Sequence, residues 1–288
     1  MRLAQQDREA GTGSVAFRMG LVGRGIQLSR TPAMHEAEAA AQGLTCRYDL
    51  FDTDAGTQGT LAEILDQAEA GGYAGLNITY PYKQDVIAHL HDLSDAARRI
   101  GAVNTVVFRD GQRFGHNTDF WGFSESLRLG LPKAAMNTVL LIGAGGAGAA
   151  LAHALADMKV GALLIHDNRE GAAADLARAV GDVATPVTDI EAAVARADGV
   201  VNATPVGMAK LPGTPIDTAL LDPSQWVADI IYFPLETAFL KAARGLGCRT
   251  LAGEGMAIFQ AVRAFELFTG QPADAERMGD TFRKLGQG

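Results

Sequence analysis

Thr138-Val139-Leu140-Leu141-Ile142-Gly143-Ala144-Gly145-Gly146-Ala147-Gly148 decides the fold. An apolar run reads as a buried strand, and it stops at a glycine. An alanine-rich stretch to about Met158 follows and reads as a helix. Gly143, Gly145 and Gly148 fit G-x-G-x-x-G, a weak pattern alone but a specific one between a strand and a helix. The first glycine permits a tight turn, the second lets backbone approach a pyrophosphate, and the third lets helix and strand pack closely. The helix start then offers free N–H groups and a positive dipole end to an anion. The bland alternative is a flexible turn before a packed helix. The loop residues Gly143, Ala144, Gly145, Gly146, Ala147 and Gly148 are therefore candidates for holding a dinucleotide.

Reading toward the C-terminus, Ala162–His166 is a strand and Gly171–Ala179 a helix. Strands around Val183–Val187, Gly199–Asn202, Val227–Ile231 and Arg249–Leu251 complete a doubly wound pattern. A long helix spans Gly255–Phe268, and an amphipathic one covers roughly Ala273–Leu285. Asp167 ends the strand after the glycine loop, about 20 residues on, where a carboxylate accepts hydrogen bonds from ribose hydroxyls and repels a 2′-phosphate. Arg169 follows two residues later, pointing either to solvent or onto adenine, so the residues favour NAD over NADP without closing the question.

Toward the N-terminus the pattern is again α/β. Ala16–Val22, Cys46–Phe51, Gly75–Thr79 and Ala102–Phe108 read as strands. Thr31 as N-cap and Pro32 in the first turn open a helix to Ala41. Thr60–Ala70 is helical, and Tyr80-Pro81 is expected to start a helix carrying Lys83 on its first turn. Arg109-Asp110-Gly111-Gln112 is a hairpin turn. Asp119 opens a helix to Leu129 that bridges the two halves. The expected architecture is an N-terminal α/β domain over 16–118 and a C-terminal doubly wound Rossmann domain over 119–270. Residues 1–15 read as a disordered tail.

Composition narrows the function. The chain has 288 residues, 25 basic against 33 acidic, a net charge of −8. No basic stripe offers itself to nucleic acid. Cys46 and Cys248 stand far apart with no metal-ligand spacing, so no metal is expected and both thiols read as reduced and cytoplasmic. No stretch reads as a membrane span or a secretory signal. A homodimer stays open.

Lys83 lies in Asn77-Ile78-Thr79-Tyr80-Pro81-Tyr82-Lys83. A cation in a helix's first turn opposes the macrodipole, which hints at a task beyond solvation. Asp119 is either a plain N-cap or a partner for such a lysine, and His116 is either a structural loop residue or a base. Taken together, Ser29 to His35, Asn77 to Lys83, Gly101 to Thr105, Asn117 to Asp119, the glycine loop, Asn202 to Met208, Asp229 to Pro234, and Gly253 to Met256 with Gln260 resemble the ordered motifs of the shikimate/quinate dehydrogenase family. The match runs from about Phe17 to Phe268. Leu28–Glu36 and Asp167 look most similar to its NAD-dependent bifunctional quinate/shikimate members.

The resemblance implies hydride transfer between NAD and C3 of a cyclic hydroxy acid, quinate or shikimate. It implies Lys83 and Asp119 at the reacting hydroxyl. Ser29, Thr31 and Tyr232 would hold the carboxylate, and Asn77, Thr79, Asn104 and Gln260 the ring hydroxyls. Asp167, Asn168, Arg169, Thr204, Ile230 and Gly253 would join the glycine loop around the cofactor. It also implies that the first domain, 16–118, is the substrate domain, that a cleft lies between it and the Rossmann domain, and that the last helix, 273–285, packs back on the first domain. Many biosynthetic members carry serine where Thr31 stands and a second basic residue where this chain has Ala172. The alternatives are an NADP-dependent biosynthetic shikimate dehydrogenase, an aminoquinate or aminoshikimate dehydrogenase, and a non-catalytic NAD-binding regulatory module.

Overall fold

The computed structural model of the chain describes residues 16–55 and 59–286. The segment 1–15 read as a tail lies outside them. Among the described residues, twelve strands make two sheets. The first uses β1 (Ala16–Gly23), β2 (Thr45–Asp52), β3 (Gly75–Ile78), β4 (Asp92–Leu93), β5 (Thr105–Arg109) and β6 (Gln112–His116), in the spatial order β2-β1-β3-β5-β6-β4. It is mixed: β1 runs parallel to β2 and β3, whereas β3–β5 and β5–β6 are antiparallel. The hairpin turn between β5 and β6 pairs Arg109 with Gln112 and puts Asp110 and Gly111 at φ 53° and 68°. Positive φ at both central residues is what a two-residue hairpin needs, and an Asp-Gly pair tolerates it best.

Helices α1 (Thr31–Ala41), α2 (Leu61–Ala70) and α3 (Asp95–Ile100) serve this sheet, and α4 (Thr118–Gly130) leaves it. The second sheet has β7 (Thr138–Ile142), β8 (Ala162–His166), β9 (Ala184–Pro186), β10 (Gly199–Asn202), β11 (Trp226–Asp229) and β12 (Arg249–Leu251), in the order β12-β11-β10-β7-β8-β9. All of its pairings are parallel. Its helices are α5 (Gly146–Asp157), α6 (Ala172–Val180), α7 (Ile190–Arg196) and α8 (Ala238–Leu246), followed by α9 (Glu254–Thr269) and α10 (Ala275–Lys284). The order of strand addition reverses between β7 and β10, the switch point where ligands of open parallel sheets bind. β7, β8 and β10 are buried along most of their length because helices cover both faces.

Three local expectations are corrected. Thr31 does not cap α1: Arg30 holds the N-cap position without a side-chain bond, and Ser29 Oγ accepts the Thr31 amide at 3.3 Å. Tyr80-Pro81 opens no α-helix. The bond is cis, the chain turns through Lys83, and only a short 3₁₀ segment, Asp85–His89, follows. The macrodipole argument for Lys83 therefore falls away. Asp119 is not the cap of α4 either, since Asn117 takes that place by accepting the Phe120 amide at 3.1 Å. The short β4 and α3 also escaped the sequence reading.

Two helices tie the halves together. α4 and α9 lie so close that a Cβ on Gly122 would stand 2.8 Å from Gln260 N and Met256 O. α9 begins among the second sheet's loops, and its far end buries Ala264, Phe265 and Phe268 against β1 and β2 residues of the first. Each of the two phenylalanines contributes about 1.5–3 kcal/mol relative to exposure. α10 packs on α1 and α9 through Met278 and Phe282, against Met34, Ala257 and Ile258. Glu38 of α1, fully buried, receives Arg277 of α10 at 2.6 and 2.8 Å. Among the described residues no helix is long and apolar enough to cross a membrane, and no cluster of three potential metal ligands occurs.

Candidate active site

Lys83 Nζ lies 2.6 Å from Asp119 Oδ2. The side chains are 19% and 8% exposed, so the pair is shielded yet reachable. Backbone geometry sets it. The turn after β3 is pinned by Val103 N–H donating to the Lys83 carbonyl at 2.7 Å, and Thr79 N–H donates to Val22 O at 2.9 Å. From the other side, Asn117 caps α4 and donates to Ala102 O at 3.0 Å. With Asn117 doing the capping, the Asp119 carboxylate is free to face the lysine.

Asn104 is the tie between these walls. Its Oδ1 accepts the Thr118 amide at 2.7 Å, and its Nδ2 donates to the Thr118 hydroxyl at 2.9 Å. Its backbone carbonyl accepts Ile78 N–H. Asn77 is more committed: Nδ2 donates to Asn104 O and to Thr105 Oγ1, while Oδ1 accepts the Tyr48 hydroxyl at 2.7 Å. Thr79 is half-buried, and its hydroxyl has no partner among the described residues. Thr118 belongs to this network and was passed over in the sequence. The signal for it was its place between two polar residues at a helix start. His116 enters through its carbonyl, which accepts Asn104 N–H, and not through its ring. Burial, helped by the charges of Arg263 and Arg109, lowers the imidazole below its ordinary range.

A pocket near the start of α1 is lined by Arg30, Thr31, Met34, Tyr232, Gln260 and Phe282 among others. It draws residues from both halves, with Tyr232 following β11 and Gln260 on α9. Gln260 spends one donor on the Ala257 carbonyl at 2.9 Å. Ser29 sits just outside, its hydroxyl oxygen engaged with the Thr31 amide.

At the switch point, Gly143 has φ 104°, a left-handed turn that glycine adopts at little cost. A Cβ there would press on Ala203 and Thr204, and one on Gly148 would run into the Gly143 carbonyl. A Cβ on Gly145 would meet nothing within 4 Å. No side chain caps α5, so its first amides remain open to an anion. Tight packing at the first and third glycines, open space at the second and a bare helix start suit a dinucleotide's pyrophosphate. A Cβ on Gly146 would lie 3.7 Å from the Lys83 side chain, so this loop borders the lysine–aspartate pair.

Asp167 accepts the Ala144 amide at 2.7 Å and the Arg169 amide at 2.8 Å. Burial works to raise its carboxyl, but the hydrogen bonds from the Arg169 side chain, Ala144 and the Arg169 amide outweigh it and hold the group below the usual carboxylate range. The Arg169 guanidinium, 66% exposed, folds back on Asp167 at 3.1 Å. Asn168 meets the His166 ring at 3.2 Å. Thr204 is held by Asn202, whose Oδ1 accepts both its amide and its hydroxyl. Asn202 in turn donates to the buried Asp229, which also accepts Ile231 N–H and the Thr237 hydroxyl. Asn202 and Asp229 thus brace both loops beside the glycine turn, a role not assigned from sequence although both residues end apolar strands. Ile230 and Gly253 touch, since a Cβ on Gly253 would strike the Ile230 carbonyl.

Comparison with known proteins agrees with this geometry. Residues 21–106 match the model of the shikimate dehydrogenase substrate binding domain, 127–212 that of shikimate/quinate 5-dehydrogenase, and 253–279 that of the shikimate 5′-dehydrogenase C-terminal domain. A quinate/shikimate dehydrogenase (NAD⁺) of Corynebacterium efficiens is 51% identical over 93% of this chain and 98% of that protein. The chain belongs to the shikimate/quinate dehydrogenase family. A shikimate dehydrogenase (NADP⁺) of Streptomyces avermitilis is 48% identical over 91% of this chain and 94% of its own length. The structure of quinate dehydrogenase from Corynebacterium glutamicum in complex with NAD superposes with a TM-score of 0.90 at 46% identity, covering 94% of this chain and all of that one. The chain is thus an oxidoreductase of a family that uses nicotinamide cofactors, and the two-sheet α/β architecture is the family's.

Proposed function

We propose that the chain oxidises the C3 hydroxyl of quinate and shikimate with NAD, giving the 3-dehydro acids. The observation that carries this reading is the Lys83–Asp119 contact at 2.6 Å beside Gly146 of the glycine loop. Gly143, Gly145, Gly148 and the bare start of α5 would hold the pyrophosphate of a nicotinamide dinucleotide, which would supply the hydride acceptor for the carbinol carbon. Lys83, as the neutral amine, takes the hydroxyl proton and becomes an ammonium beside Asp119, which orients both the lysine and the hydroxyl; with the hydride gone from carbon, a ketone is left. Thr31 and Tyr232, with Ser29, bind the carboxylate at the far end of the cleft. Thr79, Asn104 and Gln260 take the remaining ring hydroxyls. Asn77 contributes mainly by fixing Asn104, because both its donors are committed within the protein.

NAD is favoured over NADP by Asp167. Its carboxylate already sits on the Ala144 amide and pairs with Arg169, so Arg169 is not free to meet a 2′-phosphate. The corresponding NADP-linked relatives make this the point to test. Initial rates of NADH or NADPH formation, with quinate and shikimate each paired with each cofactor, decide it. Activity on both acids with NAD⁺ alone is expected. Activity on shikimate with NADP⁺ alone contradicts the Asp167 argument, and no activity in any pairing contradicts the substrate assignment.

A further inference from the structure

The substrate proposed above is an anion, yet the cleft's lysine is already neutralised by Asp119 and the chain carries a net charge of −8. Hydroxyls from Ser29, Thr31 and Tyr232 can donate hydrogen bonds to a carboxylate but bring no charge. Between Ser29 and Thr31 stands Arg30. It is the one cation among the described residues lining that pocket. It has no acidic partner among the described residues. Instead it is set in place by α10: its guanidinium carbon lies 4.5 Å from the centre of the Phe282 ring, and one N–H donates to the Phe282 carbonyl at 3.2 Å. A guanidinium has five donors, and one carbonyl leaves most of the fork unspent.

Resting on the dehydrogenase reading, we infer that Arg30 is a specificity-determining contact for the substrate's carboxylate, its planar fork supplying the charge beside the neutral hydroxyls of Ser29, Thr31 and Tyr232. This gives α10 a task beyond packing. Phe282 fixes the guanidinium from below by stacking and from the backbone by its carbonyl, so the fork meets the carboxylate with little ordering cost. The Tyr232 ring rests edge-on against the same Phe282 ring, 6.0 Å between centres, so one phenylalanine aligns two of the groups at this end of the cleft.

The test compares kcat/KM for the ring acid and for its methyl ester, which keeps the ring hydroxyls and loses the charge. In Arg30→Gln the preference for acid over ester is expected to fall roughly tenfold to a hundredfold, the range of a charge-assisted hydrogen bond. The fall should lie mainly in KM, and the dependence of kcat/KM on ionic strength should flatten. The NAD dissociation constant reports whether the variant is folded. Should Arg30→Gln lose NAD binding, Arg30→Lys carries the same comparison, keeping a cation without the fork and showing a smaller loss of preference. An acid-to-ester preference equal to that of the original chain overturns the inference and leaves the dehydrogenase reading standing. If the unsubstituted chain turns over neither acid nor ester, the dehydrogenase reading and this inference fall together.

Discussion

The second sheet builds its site from backbone, and the first builds its site from side chains. At the switch point of the parallel sheet the features that matter are a left-handed Gly143, the open face of Gly145 and the uncapped start of α5. All are consequences of local sequence. In the mixed sheet, Lys83 and Asp119 stand 36 residues apart and meet only because a turn after β3 and a cap on α4 are tied through Asn104 and Asn117. Backbone sites are written in short motifs. Side-chain sites are written in the topology, so a change of one residue should act very differently in the two halves.

The largest effect is expected where the side chains do the chemistry. Lys83→Ala or Asp119→Asn should lower turnover by about 10²–10⁴, the loss typical of an acid–base group. Next, the cofactor half should respond to charge. Asp167→Ser frees Arg169 for a 2′-phosphate and removes a repelling carboxylate. Relative kcat/KM should shift toward NADP by about ten- to a hundredfold, corresponding to about 1–3 kcal/mol. An unchanged cofactor ratio would show that Asp167 serves only the loop's architecture.

Acid should strain the first half specifically. His35 is fully buried, has no hydrogen-bond partner on either ring nitrogen among the described residues, and packs beside Tyr48 and Phe265. Burial lowers its pKa to about 3 in spite of the Glu38 carboxylate. The unfolded chain protonates this histidine near 6.5. Between those values the unfolded state binds the extra proton, so stability is full above about pH 6.5 and falls as pH drops toward about 3, by up to about 1.4 kcal/mol per pH unit. Urea unfolding across that window should show a shallower slope for His35→Leu than for the original chain. The smallest effect is Asn117→Ala. Loss of the α4 cap should cost about 1 kcal/mol, with a modest fall in turnover as Asp119 loses its anchor, readable from thermal unfolding beside initial rates.

The same contrast explains what was legible beforehand. The glycine loop, the strand after it and the Asp-Gly hairpin could be placed because local chemistry dictates them. A helix was expected at Tyr80-Pro81 where a turn stands, because a Pro in a first helical turn and a cis-Pro turn look alike in sequence. Thr31 and Asp119 were given capping roles that belong to no side chain and to Asn117, since adjacent polar residues at a helix start are interchangeable by type. Asp92–Leu93 is too short a strand to show any period. The grouping of Thr31, Tyr232 and Gln260 around one pocket came from family resemblance, because no spacing rule joins residues so far apart along the chain. Arg30 went unremarked inside its motif, its significance resting on a helix 252 residues away.

The central claim is that proton removal and dinucleotide binding are carried by different sheets. Lys83→Ala tests it most directly when its turnover is measured beside its dissociation constants for NAD and for the ring acid. The account predicts turnover reduced by about 10²–10⁴ with NAD binding kept and acid binding only modestly weakened. Turnover close to that of the original chain, or a loss fully explained by weaker NAD binding, would contradict it.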